Sequence, residues 1–343
     1  MKLLLNITAH TGLQYHRQIV PHQHLCEMHP EVDVETTTPD TSVERLKQFD
    51  AIHFLRNIGV KSNSQRIVEI CKEAGLKIIY DLDDSWELPS THPMKELFEK
   101  NKIAKQINAD FQLADVITTT TTTLAEKIAQ RTDTPIHILP NCLDATWLAA
   151  PTESDVVRFG WIGGIYHRTD TELLRVGIGK VYEQLSGFQF ACSFGSAPEY
   201  IEHEKMFSNR KGEHAQYKRL NTLDVFNYSK LYNEIDVALV PLRPSTFSSC
   251  KSELKIVEAG MMGKAVIASR VPPYDCFPDS CVMFVNPGDV NNGWFDCMEA
   301  MMDKDTREQY ASNLSRFVKS NYDLSKYTKR RFDIYNNLIN EWK

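Results

Sequence analysis

The sequence predicts an α/β protein built of two successive parallel-sheet domains. Short apolar runs alternate with helical patterns for most of the length, as expected for layered helices and strands. The alternation runs twice, on either side of residues 149–154, a small, polar, proline-punctuated stretch that is the best linker candidate. The length of 343 residues exceeds one ordinary core and suits two.

In the first half, strands are expected at 2–7, 51–55, 77–80, 116–119 and 136–139, with helices at 65–74 and 124–131 among the connections. Gly75 closes the first of these helices as a C-cap. Thr123 and Glu126 have capping-box spacing at the start of the second. The six threonines 118–123 suit a strand end followed by a helix cap. In the second half, strands are expected at 156–162, 189–194, 237–240, 265–269 and 282–285. From Lys304 the tail is helical, with Tyr310, Phe317, Tyr327, Phe332, Tyr335 and Trp342 as aromatic anchors. The expected divisions are 1–150, 151–324 and a last helix, 325–343, packing back on the first domain. No period of 20–50 residues repeats, which excludes a solenoid. Open parallel sheets bind ligands beyond the carboxyl ends of their strands, so chemistry is expected where strand ends of the two halves meet.

Hydrophobic residues make up 42% and charged residues 24%, a globular balance. A net charge of -6 provides no global basic field for nucleic acid or anionic membrane. Arg210-Lys211, Lys218-Arg219 and Lys329-Arg330-Arg331 read as solvated patches. The apolar run 1–7 is shorter than a signal-peptide core, and no stretch approaches the ~20 apolar residues of a membrane span, so a cytoplasmic protein is expected. The 8 cysteines include no Cys-x-x-Cys pair, which suggests neither a disulfide framework nor a zinc knuckle. His22, His24 and Cys26 follow Pro21 in an expected helix, where alternate residues do not share a face, so they read as scaffold.

The most informative segment is 248–263. As a helix it places Lys251, Lys255 and Glu258 on one face, beside an apolar stripe of Leu254, Val257 and Met261. A serine-rich entry with free backbone N–H groups and nearby lysines suits a diphosphate. A carboxylate two turns in can accept hydrogen bonds from two vicinal ribose hydroxyls. The plain alternative is a solvated face with a Lys–Glu pair, which periodicity alone favours. Asp81-Leu82-Asp83-Asp84 follows a strand. Two such carboxylates can hold a hard cation near a diphosphate, or Asp81 and Asp84 can cap the turn at Ser85 and Trp86. His10, His16 and His53 lie near expected strand ends; His16, close to Gly12, is the one considered for a ligand site.

The pattern Lys-Ser-x-Leu-Lys-x-x-Glu from Lys251 to Glu258, then Gly-Lys-x-Val-Ile-Ala-Ser from Gly263, resembles the donor-binding helix of retaining, family 4-like glycosyltransferases of the GT-B fold. Other stretches resemble the family in the right order. They are 12–17 after the first strand, the acidic 80–86, Leu139-Pro140-Asn141-Cys142-Leu143-Asp144 ending the first domain, 159–164 with His167-Arg168 opening the second, and 236–241 before the donor helix. The resemblance spans nearly the whole chain. It implies two Rossmann-like domains facing across a cleft, and transfer of a sugar from a nucleotide-diphosphate donor to a hydroxyl acceptor without metal or cofactor. It further implies that Glu258 binds the ribose, that Arg168 and Lys251 or Lys255 meet the diphosphate, and that Gly12 lets backbone approach the donor. Gly163, Gly164, His167, Ser252 and Leu254 complete the donor side; His16, Arg17, Asp81 and Asp84 fall on the acceptor side.

Two positions depart from the family pattern. Cys250 stands where the first Glu of the family's pair is usual, and Asp83 where a first-domain histidine is usual. The acidic motif also looks like the manganese-binding motif of single-domain GT-A enzymes. Other functions to weigh are a sugar-nucleotide 2-epimerase and a non-catalytic nucleotide- or glycan-binding module. A glycan or lipid-linked acceptor is the default; a hydroxymethylated DNA base is the second option, which the acidic net charge disfavours.

Overall fold

A computed structural model describes residues 1–7, 11–37, 42–59, 63–144, 147, 150, 153–164, 167–194, 200–209 and 215–340. Two compact units divide the chain. Unit 1 comprises Met1–Cys142, Cys250–Ser252 and Tyr322–Lys343; unit 2 comprises Leu143–Ser249 and Glu253–Asn321. Ala149, Pro151 and Thr152 of the expected linker, His10 and Arg210-Lys211 lie outside the described residues.

Unit 1 holds a six-stranded sheet of β1 (Lys2–Asn6), β2 (Asp33–Thr37), β3 (Ala51–Leu55), β4 (Lys77–Leu82), β5 (Val116–Thr119) and β6 (Ile136–Ile138). The order is β2-β1-β3-β4-β5-β6, with every pairing parallel. Strands covered on both faces read as continuous apolar runs, and β3 is buried at all its positions. In the first connection, residues 12–17 open a short helix, Gly12–Gln14, followed by a π-helical stretch, Tyr15–Ile19, whose first four side chains are buried. The cap of the helix Thr122–Ala129 is Thr121 rather than Thr123: its hydroxyl accepts from Leu124 N at 3.3 Å. Gly75 sits at φ 85°, the left-handed position that closes the preceding helix.

Unit 2 holds β7 (Val157–Ile162), β8 (Phe188–Ser193), β9 (Tyr217–Arg219), β10 (Val237–Val240), β11 (Ala265–Ser269) and β12 (Met283–Val285). Their order, β12-β11-β10-β7-β8-β9, is again wholly parallel. This is the Rossmann order, and it reverses direction between β7 and β10. The carboxyl ends of these two strands, at Ile162 and Val240, therefore mark the crevice where such sheets bind ligands. The core beneath is aromatic: Trp161, Trp294, Phe159, Phe190 and Phe207 are all buried.

The helix Leu324–Asn340 belongs to unit 1, where Ile334 and Tyr335 join Leu3, Leu25 and Ile79 in one apolar cluster. His22 and His24, read as scaffold, both meet this helix. His24 Nδ1 lies 3.1 Å from Thr328 Oγ1. His22 Nδ1 donates to Gln18 O at 2.7 Å, so its Nε2 accepts from Tyr335 Oη at 3.3 Å. Burial, reinforced by Arg331, holds His22 and His53 well below the ordinary 6.5, and burial with Arg17 lowers His16 to about 4. These groups stay neutral when folded, whereas the unfolded chain takes up protons below 6.5. Their contribution to stability is therefore complete above that pH and is lost as pH falls. Hydrogen exchange of unit 1, corrected for intrinsic rate, is expected to accelerate from pH 6.5 toward 4. Unchanged protection across this window would contradict the neutral assignment.

Among the described residues, no helix is long and apolar enough to cross a membrane.

Candidate active site

In unit 2, Gly163, His167 and Lys255 of the expected donor residues lie at the carboxyl end of β7, at the switch point. The helix begins at Leu254 with Glu253 as its N-cap. Lys251 and Ser252 precede it, so the expected single helical face running from Lys251 to Glu258 is corrected to Lys255 and Glu258. Lys255 Nζ donates to Ile162 O, the last residue of β7, at 2.7 Å, and lies 5.7 Å from the centre of the Trp161 ring. Gly163 follows immediately. A Cβ there would come within 2.7 Å of the Trp161 ring and 2.9 Å of Lys255 Nζ, so glycine permits this approach. Gly164 has no atom within 4 Å of such a Cβ, which leaves open space beside the loop.

Glu258 is 3% exposed and accepts a hydrogen bond from Tyr232 Oη at 2.7 Å. Burial pushes its carboxyl up to about 7, while the charge of Lys255 and the Tyr232 bond work the other way. Glu258 is thus not part of a solvated face. His167 and Asp170 lie on the loop and short helix after β7, with His167 Nδ1 3.0 Å from Asp170 Oδ2. The side chain of Arg168 lies outside the described residues.

In unit 1 the acidic motif at the carboxyl end of β4 forms three ion pairs. Asp81 is fully buried and binds Arg17 bidentately, Nε to Oδ1 at 2.9 Å and Nη2 to Oδ2 at 2.7 Å. Thr118 Oγ1 donates to the same Oδ2 at 2.5 Å. Arg17 Nη1 reaches Leu139 O at 2.6 Å and Asn141 Oδ1 at 3.1 Å. Burial opposes the guanidinium's charge, but Asp81 outweighs it and the pKa is raised. Arg17 and Asp81 are therefore a structural network tying the π-helical stretch to β4, β5 and the 139–141 segment. His16 is buried beside it. Asp83 accepts from Arg56 Nε at 2.7 Å. Asp84 accepts from Lys251 Nζ at 3.0 Å and caps the turn through Ser85 N at 2.8 Å.

Cys250, the departure from the family pattern, is 2% exposed and packs in the apolar cluster that contains Trp86 and Phe111. Ser252 Oγ accepts from Asn141 Nδ2 at 2.9 Å. Gly12 is exposed with nothing within 4 Å of a built Cβ. His53 lies inside β3 rather than at its end, 3.2 Å from Gln18 Nε2 through Nδ1. Among the described residues, no group of three or more His, Cys, Asp or Glu is placed to hold a metal ion.

Sequence reasoning missed Tyr232, Arg56 and Asp170. The first two come from segments distant in sequence and carry no motif. Asp170 stands three residues after His167, an i,i+3 spacing that a helical reading of the loop reveals.

No family model and no curated relative matches the sequence. Solved structures do, over almost the full length, and they define the class: the chain has the two-domain, Rossmann-like GT-B fold of glycosyltransferases. Sucrose-phosphate synthase from Thermosynechococcus elongatus aligns with a TM-score of 0.70 and 14% identity, covering 98% of each chain. HepE of Anabaena, solved in complex with UDP-glucose, aligns with a TM-score of 0.67 and 14% identity over 98% of this chain and 100% of its own. A glycosyltransferase from Rickettsia africae ESF-5 aligns at 0.66 with 10% identity, over 99% of this chain and 98% of its own.

Proposed function

We propose that the protein is a nucleotide-sugar-dependent, retaining glycosyltransferase of the family 4 kind. The observation that carries this is Lys255, held against the carboxyl end of β7 at the Rossmann switch point, with Gly163 and Gly164 beside it and buried Glu258 one turn further on. That arrangement suits a nucleoside diphosphate: a cation for the diphosphate, backbone free of side chains for its approach, and a carboxylate for the ribose. The complex of HepE with UDP-glucose supports the same donor class for this fold.

On this reading unit 2 binds the donor through Gly163, Gly164, His167, Arg168, Leu254, Lys255 and Glu258. As the bond from the sugar anomeric carbon to the β-phosphate oxygen breaks, its electron pair stays on that oxygen. Lys255 and Arg168 stabilise the growing negative charge. The acceptor hydroxyl attacks from the same face, and its proton passes to the departing phosphate. Unit 1 supplies the acceptor side through Asp83 and Asp84. Arg56 and Lys251 are each paired with an aspartate there, so this edge favours a neutral, hydroxyl-rich glycan over a phosphate backbone.

The test is a donor panel with product mass spectrometry, offering glycan and hydroxymethylated-DNA acceptors in parallel and repeated in EDTA. Sugar transfer with release of nucleoside diphosphate, undiminished by EDTA, is expected. Loss of activity on chelation, restored by manganese, would overturn the metal-free reading. Turnover of the donor without an acceptor into an epimeric sugar would replace the transferase reading with an epimerase.

A further inference from the structure

We infer that Arg243, on the loop after β10, is a further binding residue for the donor's diphosphate, an inference that rests on the donor reading of unit 2. β10 ends at Val240 on one side of the switch-point crevice, and β7 ends at Ile162 on the other. Arg243 follows the first of these ends and reaches the short helix Arg168–Thr171 that follows the second. Its backbone N–H donates to Asp170 Oδ1 at 2.9 Å, and its side-chain Nε donates to Thr169 O at 2.5 Å. The guanidinium is thus held between the two segments that border the crevice, where a parallel sheet of this order takes its ligand.

The backbone beneath it is fixed as well. Ser248 Oγ donates to Arg243 O at 2.6 Å, and Leu242 N donates to Ser269 Oγ, at the end of β11, at 2.9 Å. A long surface side chain normally keeps its rotamer freedom, because ordering it costs entropy. Arg243 is exposed, yet its N–H, its C=O and its Nε are all engaged. What remains is the pair of Nη groups. Among the described residues neither has a hydrogen-bond or ion-pair partner, in contrast to Arg17, Arg56 and Arg158, each of which meets an aspartate. Asp170 does not fill that role: one of its oxygens accepts the Arg243 backbone N–H, and the other lies 3.0 Å from His167 Nδ1. A guanidinium latched through Nε presents its Nη groups as a planar fork, which matches two oxygens of a phosphate. It stays charged at any working pH, so no proton uptake is needed. Lys255, held at Ile162 O, brings a second cation to the same strand ends from a different element. As the electron pair of the breaking anomeric bond stays on the leaving phosphate, the charge facing the fork grows, so Arg243 contributes to turnover as well as to affinity.

Arg243→Gln separates ligand binding from a purely structural latch. The glutamine Nε2 is bonded to Cδ as the arginine Nε is, so it can still donate to Thr169 O, while both Nη groups and the charge are gone. UDP, GDP, ADP and TDP are titrated calorimetrically into the parent chain, Arg243→Gln and Arg243→Ala, with a thermal melt of each free protein. In Arg243→Gln the affinity for the diphosphate that binds the parent chain is expected to fall about tenfold to a hundredfold, the worth of a charge-assisted hydrogen bond, with an unchanged thermal midpoint. Arg243→Ala removes the latch too, and should lose both affinity and midpoint. Equal affinity in folded Arg243→Gln would overturn the inference and leave the donor reading standing, as would an affinity loss confined to Arg243→Ala, which would assign the effect to the latch. No binding of any of the four to the folded parent chain would overturn the donor reading and this inference with it.

Discussion

Replacing Lys255 by Ala is expected to lower donor turnover by about 10²–10³-fold, equivalent to ~2.7–4 kcal/mol of leaving-group stabilisation. Lys255 has two jobs in this account. In the resting protein it ties the helix Leu254–Met261 to the end of β7 through Ile162 O. In the reaction it places a fixed positive charge where the β-phosphate gains its negative charge. The first job alone predicts a stability loss of ~1.5–3 kcal/mol, the usual worth of a charge-assisted hydrogen bond, and no specific kinetic effect. The second predicts a kcat loss much larger than any change in donor KM. Lys255→Arg should retain part of the turnover by keeping the charge, although the bulkier fork must fit against Gly163 and Trp161. Steady-state kinetics beside a thermal melt distinguishes the two jobs. A folded Lys255→Ala with normal kcat would remove Lys255 from the chemistry.

Replacing Asp81 by Ala is expected to destabilise unit 1 by ~3–5 kcal/mol, because it leaves the Arg17 guanidinium buried without its counter-charge. Arg17 would retain Leu139 O and Asn141 Oδ1, which are neutral acceptors and do not replace a carboxylate. Thr118 would lose its acceptor as well. A loss of this size is a large share of the ~5–15 kcal/mol that holds a typical domain together. Urea unfolding should show the unit 1 transition at much lower denaturant in the variant. A shift equivalent to less than ~1 kcal/mol would mean that the pair behaves as an exposed one.

The strands were legible where both faces are covered. Ala51–Leu55, Val237–Val240 and Ala265–Ser269 are apolar runs of strand length, and each lies in the interior of its sheet. The two unexpected strands, Asp33–Thr37 and Tyr217–Arg219, are sheet edges. An edge strand pairs on one side only and keeps water on much of its surface, so Asp-Val-Glu-Thr-Thr and Tyr-Lys-Arg carry no apolar run to read. Within the site, Gly163, Lys255 and Glu258 stood out because motif spacing follows the local backbone. What surrounds them did not, because a buried carboxylate's partner is chosen by the tertiary fold. Tyr232 reaches Glu258 from a short helix ahead of β10, and Arg56 reaches Asp83 from the end of β3. Periodicity favoured a solvated face for Glu258; the buried side chain shows that the helix turns this residue inward.

Calorimetric titration with nucleoside diphosphates tests the donor site most directly. It should be run at pH 8, above the value of about 7 to which burial raises Glu258, so that the carboxylate is ionised. UDP, GDP, ADP and TDP are compared on the parent chain and on Glu258→Gln, with a thermal melt of each. The amide keeps the size of the side chain but loses its charge and half its acceptor capacity. The account predicts one-site binding of at least one diphosphate to the parent chain. It also predicts affinity about tenfold to a hundredfold weaker in Glu258→Gln, the ~1.5–3 kcal/mol of a charge-assisted hydrogen bond. No binding of any of the four to the folded parent chain, or equal affinity in the folded variant, would contradict it.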